Sequence, residues 1–361
     1  MKKPELSTLW KLEADLGCNW KAIREANQGT DAKLLKLQTL LQVDKKSIES
    51  EDTSLVAFGS LGRREWTSGS DLDWVLLIDG EADSNHLRIA DQICGDLETA
   101  GFEEPGRTGT FGNMAFSHDL IHRIGGADDT NKNFTLRMLL LLESVAPGRD
   151  DAYRRVFIGI LSRYVDEDAS FLTPNGRATR IPRFLLNDIV RFWRTMAVDY
   201  ARKQRDRRGE SWALRNFKLR TSRKLLLASG MLVCFSCRDN ASPELKELAL
   251  KTGESAEPLV THLKTYFALP PLEVLAISAI LYRISGDTIK SLFTSYNQFL
   301  EILDNPEKRA ELNGLSTKDV NESKLFEEAR RIGRVFQDAL TKFFFEENDE
   351  LARATRLYGV F

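Results

Sequence analysis

Two short apolar runs stand close together early in the chain, Leu55-Val56-Ala57-Phe58 and Trp74-Val75-Leu76-Leu77-Ile78. Runs of this length, rich in Val, Leu and aromatics, read as buried strands. Residues 1–50 follow a helical period instead, with Leu6, Leu9, Trp10 and Leu12 as one apolar set, Trp20, Ile23 and Ala26 as a second, and Leu34, Leu35, Leu37, Leu40 and Leu41 as a third. The spacing predicts a helix over 86–100, with Leu87, Ile89, Ala90, Ile93 and Leu97 on its apolar side and Gly101 as its C′ stop. Pro105 to Gly112 reads as loop and Met114 to Phe116 as a further strand. From Asp128 the pattern is nearly all helical, with helices expected over 134–144, 150–165, 183–205 and 212–235 and several more behind them. Pro174, Gly176, Pro182, Gly209, Ser242-Pro243, Pro270-Pro271, Pro306 and Gly314 punctuate the series. The class predicted is α+β, a small mixed β-sheet core followed by a largely all-α C-terminal domain. The boundaries drawn are an N-terminal helical brace at 1–50, the core at 51–130 and the helical domain at 131–361.

Composition narrows the picture only a little. A chain of 361 residues suits two domains and can bury a real core. A formal net charge of −2 points to neither a nucleic-acid coat nor a membrane surface. The longest apolar runs, such as 225–235, are too short to span a bilayer. No apolar segment follows Met1-Lys2-Lys3, so a secretory signal is not expected. Four scattered cysteines suit a reducing, cytoplasmic setting. Cys234 and Cys237 lie inside an apolar helical pattern with no second pair, which favours buried thiols over a zinc or redox site.

The chemistry concentrates between the two strands. The first run ends on Gly59-Ser60-Leu61-Gly62-Arg63-Arg64-Glu65, and the second strand is expected to open on the aspartates of Ser70-Asp71-Leu72-Asp73. Side chains alternate faces along a strand, so Asp71 and Asp73 project from one side. Two adjacent carboxylates resist joint ionisation, and a divalent cation removes the conflict. Mg²⁺ held by one or two carboxylates, completed by water and substrate phosphates, is the usual arrangement in nucleotide chemistry. Gly59 lets the backbone approach a phosphate, successive N–H groups form an anion-binding nest, and the Ser60 hydroxyl adds a donor.

A Gly-Ser turn after a strand, followed by Asp-x-Asp at the head of the next, resembles the signature of the DNA polymerase beta nucleotidyltransferase superfamily. The longer string of Gly59, Gly62, Arg63, Glu65, Ser70, Asp71 and Asp73 resembles a narrower group, the PII-protein uridylyltransferase and its relatives. Asp129-Thr130, Thr135 and Leu141-Leu142-Glu143-Ser144 look like the helix that follows the catalytic sheet in that group. The resemblance covers roughly residues 55–150. It implies a Mg²⁺-dependent nucleotidyltransferase core, with Asp71 and Asp73 as metal ligands and Gly59, Ser60, Arg63 and Ser70 around the nucleotide. Arg63 either meets the triphosphate or pairs with Glu65. Such enzymes commonly use a third carboxylate, for which Asp119 is the nearest candidate, and a solvated turn aspartate is the other reading of it. His118 and His122, four apart, lack a third ligand.

Between Ile181 and Lys224 there are thirteen Lys or Arg against four Asp or Glu. On one continuous helix Arg215, Lys218 and Ser222 would share a face, and Asn216, Arg220 and Arg223 another. If the helical domain closes the nucleotide cleft, Lys218, Arg220 or Arg223 meets the triphosphate. Otherwise the run is a solvated face. Asp188, Arg191, Arg194 and Asp199 either join that cleft or pair between helices. The partners expected are an NTP and an acceptor, protein before RNA or a tRNA 3′ end, with no membrane and with a homo-oligomer left open. A self-made oligonucleotide signal is a further possibility. A nucleotide-binding regulatory protein without catalysis is the rival of another class.

Overall fold

The computed structural model describes residues 7–43, 46–102, 110–169, 181–206, 211–238, 257–315, 320 and 322–360. The turns expected at Pro174-Gly176, Gly209 and Ser242-Pro243, and most of the 105–112 loop, lie outside the described residues.

The two apolar runs form the centre of a four-stranded mixed sheet. β3 (Thr53–Phe58) and β4 (Trp74–Ile78) are antiparallel, with Leu55 opposite Leu76 and Ala57 opposite Trp74. β5 (Asn113–Phe116) adds parallel to β4, and β6 (Ser144–Val145) adds antiparallel to β3, giving the order β5-β4-β3-β6. A two-residue pair, β1 (Gln42–Val43) and β2 (Lys46–Ser47), forms a separate small hairpin. Every residue of β3 and β4 is buried, because both faces of the sheet are covered. Val56, Phe58, Val75 and Leu77 face one core, while Leu55, Ala57, Trp74, Leu76 and Ile78 face the other.

The second core is closed by α3 (Ser84–Thr99) through Ile89, Ile93 and Leu97, and by α2 (Lys21–Leu40) through Leu37. Asp83 starts α3 by accepting from Asn85 N at 2.9 Å, and Gly101 follows it at φ +73°, as the sequence predicts. The first core is larger. It joins α1 (Thr8–Asp15), the sheet, α5 (Asn131–Leu142), α6 (Asp151–Ala169) and α7 (Arg183–Asp206). It continues through α8 (Trp212–Arg220), α9 (Ser222–Phe235), α10 (Glu257–Phe267), α11 (Pro271–Leu281), α12 (Gly286–Asp304) and α14 (Lys324–Phe345). Short helices α4 (Ser117–Ile121), α13 (Pro306–Gly314) and α15 (Asp349–Ala354) complete the set, the last running into a π-helical turn at Thr355–Val360. No single described helix is long and apolar enough to cross a membrane; only the consecutive pair Pro258–Phe267 and Pro271–Leu281, bent by 116°, passes that test together. Cys234 and Cys237 are buried, on and just after α9, as expected, and form no disulfide.

Three expectations are corrected. The second and third apolar sets of the N-terminal region belong to one helix, α2, whose Leu41 continues toward the β1–β2 hairpin. The leucine-rich helix ends at Leu142, and Ser144-Val145 becomes a sheet strand, so the sheet reaches past residue 130. The apolar periodicity did not separate those two residues from the helix before them. The helix expected over 212–235 is two helices broken at buried Thr221, which stands at φ −120° and ψ −89°. Its hydroxyl donates to the Phe217 carbonyl at 2.7 Å, taking up a helix-end acceptor that the broken ladder leaves.

Candidate active site

The link from β3 to β4 builds one wall of a cleft. β3 ends at Phe58, whose N–H still donates to the Asp73 carbonyl at 2.9 Å. Gly59 then turns the chain at φ +71°, a left-handed conformation that suits glycine. Arg63 N bonds Gly59 O at 3.0 Å and Glu65 N bonds Ser60 O at 2.7 Å, so the segment coils tightly. Gly62 answers a different need. A Cβ there would collide with the backbone carbonyl of Glu143 and lie 2.8 Å from Ser144 N. The second glycine of the motif therefore allows two backbones to pack, where the α5–β6 corner meets the turn. From the other side α2 holds the same segment: Trp66 N donates to Thr30 Oγ1 at 3.1 Å, and Arg64 donates to Asn27 Oδ1 at 3.1 Å and pairs with Asp31.

Asp71 and Asp73 sit on the lead-in to β4, just ahead of the strand proper. Leu72 between them is buried in the sheet core while both aspartates line the cleft, so the predicted alternation holds. Asp73 is half-buried; an added Cβ on Gly59 would lie 3.8 Å from its Oδ2, which places turn and carboxylate side by side. Burial, and then the Asp71 charge, push the Asp73 carboxyl up to about 7, and Arg223 only partly opposes them. Ser70 lines the cleft too, but its hydroxyl is engaged in a local turn, accepting from Thr67 N at 3.0 Å.

The facing wall comes from the helices. The cleft, about 530 Å³ including its open mouth, is bounded there by Lys218, Ser222, Arg223 and Arg309, with Phe299, Leu300 and Leu303 of α12 at its floor. The break at Thr221 resets the helical phase, so Arg223 joins Lys218 at the cleft. Arg220, predicted beside Arg223, turns away: its side chain lies against Gly333 on α14. Burial, and then the neighbouring Arg309 guanidinium, push the Lys218 ammonium down to about 8, against the pull of Asp71.

An ionic chain runs along the cleft, with Arg63, Glu65 and Arg223 in its lining and Glu143 buried behind them. Arg63 Nε donates to Glu65 Oε2 at 2.8 Å, Arg63 also pairs with Glu143, and Arg223 Nη1 donates to Glu143 Oε1 at 2.8 Å. Tyr296 Oη on α12 donates to Glu65 Oε1 at 2.8 Å. Burial alone would raise the Glu143 carboxyl; Arg223 and Arg63 outweigh it and hold it below its ordinary value. Arg63 thus pairs with Glu65, one of its two expected roles, while it also lines the cleft.

Other predicted positions lie elsewhere. Asp119 is on α4, 39% exposed, and accepts from Arg123 Nε at 2.9 Å, outside the cleft lining. His118 and His122 stack at 5.2 Å, and among the described residues no group of three or more His, Cys, Asp or Glu could hold a metal. Asp129 forms a buried pair with Arg137, which also donates to Tyr164 Oη at 3.1 Å; Tyr164 in turn donates to Asp188 Oδ2 at 2.6 Å. Asp188 thus belongs to an inter-helix network and not to the cleft. Sequence reasoning missed Arg309, Glu143 and the α12 floor. Glu143 stood inside a quoted motif, but without a role; Arg309 and the floor carry no local signal.

Residues 16–118 match the profile of a family described as Putative nucleotidyltransferase DUF294. The match takes in α2, the Gly59–Asp73 segment and β5, so the core wall of the cleft lies in a nucleotidyltransferase-like region and the helical wall lies outside it. No curated protein and no solved structure matches the chain.

Proposed function

We propose that this protein is a Mg²⁺-dependent nucleotidyltransferase that moves a nucleoside monophosphate from an NTP to an acceptor and releases pyrophosphate. The observation that carries this reading is the convergence in one cleft of the Gly59-Ser60 turn, the Asp71–Asp73 pair and the cations Lys218, Arg223 and Arg309 from the helices. The family match supports nucleotidyl transfer in general terms.

The carboxylates fit a divalent cation. Asp73, pushed up to about 7 by burial and by Asp71, belongs to an anionic pair that Arg223 and Lys218 only partly offset. Asp71 and Asp73 would hold Mg²⁺, which when bound would neutralise phosphate charge and lower the pKa of an attacking hydroxyl, so that it gives up its proton more readily. The chain's own groups do the rest. The Gly59 turn admits the phosphates to backbone N–H groups, and Ser60 lines the cleft beside it. Lys218 and Arg223 draw the triphosphate from the other wall by charge-assisted hydrogen bonds. Phe299, Leu300 and Leu303 supply an apolar floor that suits a base or sugar edge. Arg63 holds the turn's shape through Glu65 and Glu143.

Resemblance to the PII-protein uridylyltransferase group favours a protein acceptor over RNA. Four cysteines outside any disulfide suit a cytoplasmic setting. One observation favours a second reading, a nucleotide-binding regulatory protein without catalysis: the candidate third carboxylate, Asp119, is paired outside the cleft. Incubating the protein with labelled NTPs, Mg²⁺ and cell lysate separates the readings. Label on a protein band is the expected result. Label on RNA or on a small product would replace the acceptor, and bound NTP with no transfer at all would favour the regulatory reading.

A further inference from the structure

The cations at the cleft are of two kinds. Arg63 and Arg223 are neutralised by Glu65 and Glu143. Lys218 and Arg309 are not: among the described residues neither has a carboxylate within salt-bridge distance, and Asp71 acts on Lys218 only through space. Two unneutralised cations sharing a half-buried wall repel each other, and the repulsion is relieved when an anion bridges them.

Arg309 is also placed with care. Its helix, α13, starts on Pro306 behind an Asn305 cap that accepts from Lys308 N at 2.9 Å. The residue before the cap, Asp304, ties the helix to the core wall: Ser68 N donates to Asp304 Oδ1 at 2.8 Å and Ser68 Oγ to Asp304 O at 2.8 Å. The Arg309 side chain lies over the backbone of Gly69, where an added Cβ would be 2.6 Å from Nε and 2.7 Å from Cζ. The absence of a side chain at Gly69 thus lets the guanidinium lie against the turn that leads into Asp71.

We propose that Lys218 and Arg309 form a polyphosphate clamp on the helical wall, with Arg309 as a specificity-determining residue that favours a triphosphate over a monophosphate. The proposal rests on the nucleotidyltransferase reading for the identity of its ligand and deepens it by adding Arg309, over the Gly69 turn, to Lys218 on the helical wall. A polyanion spans both cations, whereas a single phosphate satisfies one and leaves the other unpaired.

Titrating tripolyphosphate into the full chain by calorimetry, at low salt with a chelator and no divalent cation, tests the clamp apart from catalysis. The wild type should bind, more tightly than it binds AMP and less tightly as salt is added. Arg309→Gln and Lys218→Gln should each raise Kd about tenfold or more, and Arg309→Lys should recover part of the loss. Gly69→Ala keeps both charges but displaces the guanidinium, and should also weaken binding. Arg220→Gln, on the side turned to α14, should leave Kd unchanged. Absence of tripolyphosphate binding by the wild type, or wild-type affinity in both Arg309→Gln and Lys218→Gln, overturns the clamp. If Arg309→Gln does not melt cooperatively, Lys218→Gln and Arg309→Lys decide. Transfer by the wild type with unaltered tripolyphosphate affinity in the variants sinks the clamp alone. Clamp binding with no transfer to any acceptor supports the clamp and sinks the reaction alone.

Discussion

Asp73 places function and stability in opposition. Its carboxyl is pushed up to about 7 by burial and by Asp71, whereas in the unfolded chain it titrates near the ordinary 3.8. An acid raised on folding binds its proton more tightly in the native state, so native stability falls as pH rises from about 4 to about 7 and levels off above. Asparagine at this position has no charge to bury. With a chelator present, Asp73→Asn should therefore melt above the wild type at pH 8, by roughly 2–4 kcal/mol, and the gap should close toward pH 4. The same variant, and Asp71→Asn, should abolish nucleotidyl transfer, because the change removes charge and keeps volume. Full turnover in either one, with a native melt, would remove the carboxylates from the site. Lower stability of Asp73→Asn at pH 8 would show that the carboxylate is compensated by something other than a metal.

At the scale of the element, the β3–β4 link shows that two glycines of one motif do different work. Gly62 packs against the Glu143 backbone, which cannot move aside as a side chain can. Gly62→Ala should cost about 3 kcal/mol or more, read as a lower urea midpoint with an unchanged slope. Gly59 meets only the Asp73 carboxylate tip at 3.8 Å but stands at φ +71°. Gly59→Val should lower NTP affinity while the far-UV circular dichroism holds, since its branched side chain would enter the cleft mouth. Unchanged NTP binding would reduce the turn to a strand ending. The α8–α9 break carries a related lesson. Counting residues along one helix pairs Arg220 with Arg223, yet Thr221 interrupts the count and sends them to opposite sides.

Across the whole molecule, the Glu65–Arg63–Glu143–Arg223 chain and its Tyr296 end join the turn to α5, α9 and α12. Tyr296→Phe leaves one Glu65 oxygen without its donor in a buried place, and should cost about 1–3 kcal/mol. Double-mutant cycles with Arg63 should show coupling, because both residues act on the same carboxylate. Strict additivity would mean that the chain is not a unit. The larger core also runs without interruption from α1 through one face of the sheet to α14. A fragment of residues 51–130 lacks β6, α2 and most of that core. It should show no cooperative thermal transition, whereas the full chain should melt as one unit; a cooperative melt of the fragment would make the 51–130 segment an independent domain.

Where a structural feature is a matter of neighbours along the chain, the sequence by itself determined it. The two apolar runs had to be strands, alternation had to put Asp71 and Asp73 on one side with Leu72 opposite, and Gly59 had to turn the chain at the strand end. The stop of α3 at Gly101 and the buried state of Cys234 and Cys237 were legible for the same reason. Features set by meetings between distant segments were decided only by tertiary structure. Arg63 added Glu143 to its local partner Glu65 because the α5–β6 corner, some 80 positions later in the chain, packs on Gly62. Ser144-Val145 joined the sheet because β3 offered an unpaired edge there. Arg309 reached the cleft because Asp304 anchors its helix to Ser68, a contact spanning 236 positions that no periodicity records. Local period encodes which face a residue takes, and packing alone chooses what that face meets.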